Sequence, residues 1–161
     1  MNIFQRLGLA PDHRAESKVT QLVKHYDEVI QKNKDGKKYG IQLKEDGVCA
    51  ITVILDGMAT IYSRTGRKFT NTSQLCHDLT ERQLPNGVYF GELVCSLVSL
   101  EVLSGVVNPN RINPLSEAQI EVAVNLRMRF FDLISIHSFM KGHSDTEFII
   151  RYNNLVERIG P

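Results

Sequence analysis

The chain has few cysteines, and their arrangement argues against a structural role for them. Cys49, Cys76 and Cys95 are odd in number, widely spaced, and include no Cys-x-x-Cys pair. We therefore expect neither a disulfide framework nor a zinc site. The five histidines show no metal-ligand spacing either, so no histidine metal site is expected.

Long apolar runs are also missing. No stretch approaches the length that a membrane-spanning helix needs, and the N-terminus lacks the apolar stretch of a secretory signal. From these absences we expect a cytoplasmic protein without a membrane partner.

The charge is nearly balanced, at 19 Lys and Arg against 18 Asp and Glu. Composition alone therefore does not indicate a nucleic-acid-binding protein. Residues 1–80 carry twelve basic and nine acidic side chains, whereas residues 81–161 carry seven and nine. This mild basic excess in the first half is weak support for phosphate contacts there.

No repeat, low-complexity tract or Pro/Gly/Ser-rich linker divides the chain, so we expect one domain over residues 1–161. Alternating or β-branched residues predict strands. These cover 39–44, 48–55, 58–63, 88–95 and 126–134. Asp56-Gly57 predicts a tight hairpin turn, and Asn86-Gly87 predicts another turn.

Helical spacing of apolar residues predicts a helix over 18–31, and shorter helices are expected at 73–81 and 99–105. Two capping-box patterns, Ser116 with Gln119 and Ser144 with Glu147, predict the starts of two more helices. The last helix carries apolar residues on one side: Phe148, Ile149, Tyr152, Leu155, Val156 and Ile159. Antiparallel hairpins between helices indicate the α+β class.

Lys44 stands at the end of a predicted strand and is followed by Glu45-Asp46-Gly47, where the chain turns. A lysine held at a strand end can direct its amine into a cleft, and nearby cations or desolvation can lower its pKa enough to make it a nucleophile. Such an amine could attack the α-phosphorus of a nucleotide. A solvated turn lysine is the plainer interpretation of the same residues, and the short motif alone does not exclude it.

Three further groups fit a nucleotide site. Arg64, within the basic run 63–68, could contact phosphate, although such a run also suits an ordinary charged loop. Glu92 is a carboxylate in an otherwise apolar strand, where it needs a cation, a metal or hydroxyl groups as partners. Phe131, next to Asp132, could stack on a nucleobase or simply pack in the core.

Together these motifs resemble, in their order, those of the ATP-dependent DNA ligases, which belong to the lysine nucleotidyltransferases. The matching segments are Gln-Leu-Lys-Glu-Asp-Gly at 42–47, Tyr-Ser-Arg-Thr-Gly at 62–66, Gly-Glu-Leu-Val at 91–94 and Arg-Phe-Phe-Asp at 129–132. The resemblance covers about residues 39–159. It implies a partial nucleotidyltransferase domain of ATP-grasp-like type, with antiparallel sheets flanked by helices.

The resemblance also implies roles for single residues. Lys44 would become lysyl-AMP, Arg64 would contact the nucleotide or the nick phosphate, and Glu92 would act at the ribose and at Mg²⁺. Phe131 would pack on adenine and Gln42 would lie at its edge. The remaining motif residues, Leu43, Asp46 and Gly47, are expected to contact the nucleotide as well. ATP and Mg²⁺ are the implied cofactors, and nicked duplex DNA is the implied substrate.

The sequence departs from the family pattern in two ways. Cys49 stands where family members usually carry an arginine, two residues after the motif glycine. The late Glu-Gly and Lys-x-Lys motifs and the oligonucleotide-binding (OB) domain do not follow residue 132. We therefore expect one subunit of a split viral ligase, acting in the host cytoplasm with a second polypeptide that supplies these parts. A truncated piece of a longer enzyme remains an alternative.

Other functions also remain open. RNA ligases and capping enzymes share the lysine chemistry, but the Lys-x-Asp-Gly and Ser-Arg-Thr-Gly segments favour a DNA ligase. NAD-dependent ligases carry an extra tyrosine-rich module before the lysine, whereas residues 1–38 contain a single tyrosine, Tyr26, so ATP is favoured over NAD. A non-catalytic, ligase-derived module that binds DNA or protein would fit Cys49 and the missing late motifs.

Overall fold

The computed structural model describes residues 1–9, 42 and 45–160. The helix expected over 18–31 and the strand expected over 39–44 fall outside the described residues, apart from Gln42. The same holds for Leu43 and Lys44.

Four antiparallel strands form one sheet in the described part of the chain. They are β1 (Val48–Leu55), β2 (Met58–Ser63), β3 (Gly87–Val94) and β4 (Arg127–Ile134), in the spatial order β2-β1-β3-β4. Helices flank this sheet, which confirms the α+β class.

The β1–β2 hairpin follows directly from its turn residues. Asp56 and Gly57 have φ angles of 53° and 75°, and Leu55 pairs with Met58 across a two-residue loop. Positive φ at both central positions is what a type I′ turn requires. Both strands therefore begin and end where the sequence predicts. β3 differs slightly, because Gly87 is already its first paired residue rather than part of a turn.

Six helices lie within the described residues: α1 (Ile3–Arg6), α2 (Ser73–Glu81), α3 (Leu100–Val107), α4 (Glu117–Val124), α5 (Ile136–Lys141) and α6 (Phe148–Ile159). α2 confirms the helix predicted at 73–81. The capping box of Ser116 and Gln119 is present at the start of α4. α3 begins and ends later than expected, and α5 was not predicted.

The second predicted capping box is wrong. α6 has Glu147 as its N-cap, with no side-chain hydrogen bond to the first turn. The Ser144 hydroxyl accepts instead from the Thr146 backbone N–H at 3.3 Å. Ser144 therefore forms a local turn ahead of the helix.

The apolar side predicted for α6 is only partly buried. Leu155 is fully buried in the core, but Ile149 remains 55% exposed. Phe148 and Tyr152 stack on each other with ring centroids 6.0 Å apart, one turn along the helix. The core contact of α6 is therefore narrower than the sequence pattern suggests.

Helices cover the two faces of the sheet unequally. The first face, which carries Ala50, Ile54, Tyr89 and Leu93, packs against a large group of buried helical residues. These are Leu75 and Leu79 of α2, Leu103, Val106 and Val107 of α3, Val122 of α4 and Leu155 of α6.

The second face carries Ile51, Val53 and Val88, and it packs against Ile3 and Phe4 of α1 and Phe139 of α5. This smaller cluster does not include Cys49 or Glu92, which lie on the same face further along β1 and β3 and are only half-buried. Among the described residues, this smaller cluster therefore lies away from the start of β1 and the end of β3.

Among the described residues, none of the helices is both long and apolar enough to span a membrane.

Candidate functional site

The strand register brings three of the four sequence motifs to one end of the sheet. We call this the motif end; it is where β1 and β4 begin and where β2 and β3 finish. Gly47 directly precedes β1, Arg64 directly follows β2, and Glu92 lies near the end of β3. Since adjacent strands are about 4.8 Å apart, the backbones of β2 and β3 are separated by roughly 10 Å at this end.

A row of three side chains crosses the motif end on the second face of the sheet. Cys49 pairs with Glu92 across β1 and β3, and Glu92 pairs with Arg129 across β3 and β4. Directly opposed residues of antiparallel strands project to the same face. The carboxylate of Glu92 therefore stands between a thiol on one side and a guanidinium on the other.

Glu92 is a carboxylate in an otherwise apolar strand. Its side chain is half-buried, and its Oε2 atom is closed off from solvent. Keeping a carboxylate in such a place costs free energy unless charged or polar groups interact with it. A half-buried carboxylate between a thiol and a guanidinium is a candidate for a functional group.

The residues around the motif lysine contact β3 and β4. Gln42 donates from its side-chain amide to the backbone carbonyl of Phe131 at 3.2 Å. A carboxylate oxygen of Glu45 lies 4.0 Å from Nε of Arg129. Gln42 and Glu45, the described residues on either side of positions 43 and 44 in the sequence, therefore both contact β4.

Gly47 lies tightly against β3. A Cβ atom at this position would come within 2.7 Å of the Leu93 carbonyl oxygen and 2.8 Å of a Val94 methyl carbon. Only glycine allows the backbone to approach this closely. Close packing against β3 therefore requires glycine at position 47 whether or not a nucleotide binds there. Asp46, beside it, is exposed.

Arg64 is exposed in a tight turn at the end of β2. Gly66 has a φ of 79°, and its N–H donates to the Ser63 carbonyl at 2.8 Å. Arg67, in the same basic run, donates to the Asn110 side chain at 3.0 Å. The turn holds its backbone rigidly while Arg64 extends into solvent, a suitable arrangement for an anion contact.

Phe131 occupies an irregular position in β4. The register shifts there, because Phe90 pairs with Asp132 while the adjacent Gly91 pairs with Phe130. Phe131 is therefore the additional residue of a β-bulge, and bulges commonly redirect a side chain next to a functional site. Its half-buried ring belongs to neither buried cluster, whereas the neighbouring Phe130 packs on Tyr89 at 5.4 Å.

Asp132, the aspartate of the same motif, has a structural partner. Nε and Nη2 of Arg151 each donate to one of its carboxylate oxygens at 2.8 Å, and both side chains are mostly buried. The hydrogen bonds that Arg151 donates to Asp132 raise the pKa of Arg151. This paired interaction fixes α6 against β4 next to the bulge, a contact that the sequence alone did not predict.

The absence of a side chain at Gly91 allows the bulged strand β4 to lie close to β3. A Cβ atom on Gly91 would lie 2.5 Å from the Arg129 carbonyl oxygen and 2.9 Å from the Met128 methyl carbon. We expect Gly91→Ala to lower the free energy of unfolding by about 1–3 kcal/mol, because β4 must move away. Urea unfolding measures this change.

The matched control for Gly91→Ala is Gly105→Ala. Gly105 lies in α3, and a Cβ atom there would meet nothing within 4 Å. We expect this change to leave stability equal or to raise it by up to about 1 kcal/mol. Equal effects of the two substitutions would contradict the close contact between β3 and β4.

An open groove of about 830 Å³ lies beside the motif end. It runs between α2, the start of β4 and the end of α6, and its lining includes Leu75, Arg82, Tyr152 and Ile159. Arg127 and Arg129 also border it. The sequence did not predict this groove, because its walls come from elements far apart in the chain.

Within residues 45–160 and the other described positions, no three His, Cys, Asp or Glu side chains are grouped as metal ligands. Glu45, Asp46 and Glu92 are described carboxylates at the motif end, and one of them would be enough for Mg²⁺, which takes few protein carboxylates and completes its shell with phosphate oxygens and water. The residues fit a metal that arrives with a nucleotide better than a permanently bound one.

Comparisons with known proteins show the fold. No family model matches the chain, and no curated protein matches it. The solved structure named Pmar-Lig_PreS3 matches with a TM-score of 0.57 and 22% identity, over 71% of this chain and 25% of that one. The structure named Pmar-Lig_Pre matches with a TM-score of 0.54 and 21% identity, over 72% of this chain and 26% of that one.

This chain therefore shares its fold with part of these two structures and spans about a quarter of their length. At such identities the likeness concerns the fold alone.

Proposed function

We propose that this chain is the lysyl-AMP-forming part of an ATP-dependent DNA ligase, acting with a second polypeptide. The observation that carries the proposal is the convergence at the motif end. Gly47, Arg64 and Glu92 come from three separate motifs and lie at this end of the sheet, and Gln42 is hydrogen-bonded to the backbone of Phe131 in the fourth motif.

In the first step, Lys44 Nζ attacks the α-phosphorus of ATP. A P–N bond forms, the bond from the α-phosphorus to the bridging oxygen breaks, pyrophosphate leaves, and the amine loses its proton to solvent. Glu92 would face the ribose and a phosphate-bound Mg²⁺, Arg64 would contact phosphate, and Phe131 and Gln42 would contact adenine. Bound Mg²⁺ would supply charge neutralisation at the phosphates.

In the later steps, the adenylyl group passes from Lys44 to the 5′-phosphate of a nick, and the P–N bond breaks as a P–O bond forms. Attack by the 3′-hydroxyl then joins the strand and releases AMP. These steps require the nick to be held, and we assign that task to a second polypeptide carrying the late motifs and an OB domain.

The test is mass spectrometry of the intact protein after incubation with ATP and Mg²⁺, alone and with candidate partner polypeptides. We expect a mass increase of one adenylyl group, which added pyrophosphate reverses. A parallel incubation with NAD distinguishes the two nucleotide donors. An unmodified mass under every partner condition would contradict the proposal.

A second candidate is a non-catalytic, ligase-derived module that binds DNA or protein. Cys49 favours it, because a thiol stands beside Glu92 where the family pattern has an arginine. This candidate predicts binding to nicked duplex DNA or to a partner without any adenylyl adduct.

A further inference from the structure

Arg129 is a residue of the motif end to which the sequence pattern assigns no role. It lies on β4 directly opposite Glu92, and Glu92 in turn lies opposite Cys49. Cys49 and the guanidinium of Arg129 therefore lie on opposite sides of Glu92. Either position would bring an arginine side chain next to the same carboxylate.

Arg129 is also available to a ligand. Its side chain is 69% exposed, and its contact with Glu45 is long, at 4.0 Å. Exposed ion pairs of this kind contribute about 0–1 kcal/mol. Arg129 is thus not needed to hold β4 in place, and the bidentate pair of Asp132 and Arg151 fixes that strand instead.

The chemistry of the position suits phosphate. A guanidinium presents paired N–H donors that match phosphate oxygens, and such charge-assisted hydrogen bonds are about twice as strong as neutral ones. Glu45, the contact of Arg129, comes directly after Lys44 in the sequence. A phosphate at the motif end could therefore replace Glu45 as the partner of Arg129.

We infer that Arg129 contacts the triphosphate of ATP and supplies, from β4, the guanidinium that the family pattern carries at the position of Cys49. This inference rests on the proposed function. It assigns Arg129 as a substrate-contacting residue and explains how a site with Cys49 remains competent.

The test measures the rate of adenylyl-adduct formation at several ATP concentrations. Arg129→Ala raises the ATP concentration needed for half-maximal rate by about tenfold, and Arg129→Lys restores part of the loss. The matched control is Arg127→Ala. Arg127 lies two residues earlier on the same face and borders the same groove, but it pairs with Val94 rather than Glu92. We expect Arg127→Ala to stay within about twofold of the wild-type value.

The double variant with Arg129→Ala and Cys49→Arg tests compensation directly. Adding Cys49→Arg to Arg129→Ala places a guanidinium on the other side of Glu92, and we expect it to recover most of the lost ATP affinity. An arginine at position 49 would also restore a structural pairing with Glu92, so the recovery supports a contact with ATP only if Arg129→Ala keeps the wild-type melting temperature. The melting temperature of each variant, measured in parallel, shows whether folding has changed.

The outcomes separate the two proposals. If the wild-type chain forms an adduct and Arg129→Ala binds ATP as well as the wild type, Arg129 has no such role while the proposed function stands. Equal losses from Arg127→Ala and Arg129→Ala would assign the effect to the groove and overturn the inference. If the wild type forms no adduct with any partner, the proposed function fails, and the inference fails with it.

Discussion

We expect Lys44→Ala to abolish the proposed adenylyl adduct completely, because no other group would replace the amine that forms the P–N bond. Lys44→Arg gives the same loss, since a guanidinium retains the charge but is not deprotonated in proteins. Intact-protein mass spectrometry after incubation with ATP and Mg²⁺ measures both variants.

Lys38→Ala is the matched control for Lys44, as it removes a nearby lysine outside the motif. We expect this variant to form the adduct at the wild-type rate. An adduct that persists in Lys44→Ala would place the reactive amine elsewhere and overturn the assignment of the nucleophile.

Glu92→Gln is the second substitution with a large expected effect. We expect the rate of adduct formation to fall by about 10²-fold, because the site loses the charge that would face the ribose and the metal. Glutamine has nearly the same shape and volume as glutamate, so we expect the fold itself to be retained.

Two measurements on Glu92→Gln are therefore compared: we expect adduct formation to fall steeply, whereas the midpoint of urea unfolding changes little. Glu101→Gln, in an exposed position on α3, should change neither. A loss of activity in Glu92→Gln that merely follows a loss of stability would indicate a structural ion pair instead.

Much of the local structure was predictable because its signals are local. The β1–β2 hairpin depends on Asp56 and Gly57, and the start of α4 depends on the Ser116 capping box. Both are set by residues a few positions apart. The same kind of signal failed at Ser144, where the hydroxyl bonds to Thr146 and the helix begins only at Phe148.

α5 was overlooked although its boundaries are encoded. Ser135 accepts from the Ser138 N–H at the start, and Gly142 adopts a φ of 83° at the end. These are standard helix-boundary residues. Only six residues lie between Ser135 and Gly142. A helix this short does not show a recognisable helical spacing of apolar residues in the sequence.

The candidate site was predictable as a set of residues but not as an arrangement. Glu92 could be recognised because a carboxylate interrupts an apolar strand. The row of Cys49, Glu92 and Arg129 depends on strand register, and the place of Phe131 depends on a bulge. Register and bulges arise from pairing between segments that are distant in the sequence. The order of motifs along the chain does not reveal how those segments pair.

A crystal structure of the chain after reaction with ATP and Mg²⁺, with its partner polypeptide if one is required, tests the nucleotide site most directly. We expect electron density for AMP joined to Lys44 Nζ, with the ribose towards Glu92 and the adenine against Phe131. Nucleotide density confined to the groove between α2 and α6, with Lys44 unmodified, would contradict a lysyl-AMP site at the motif end.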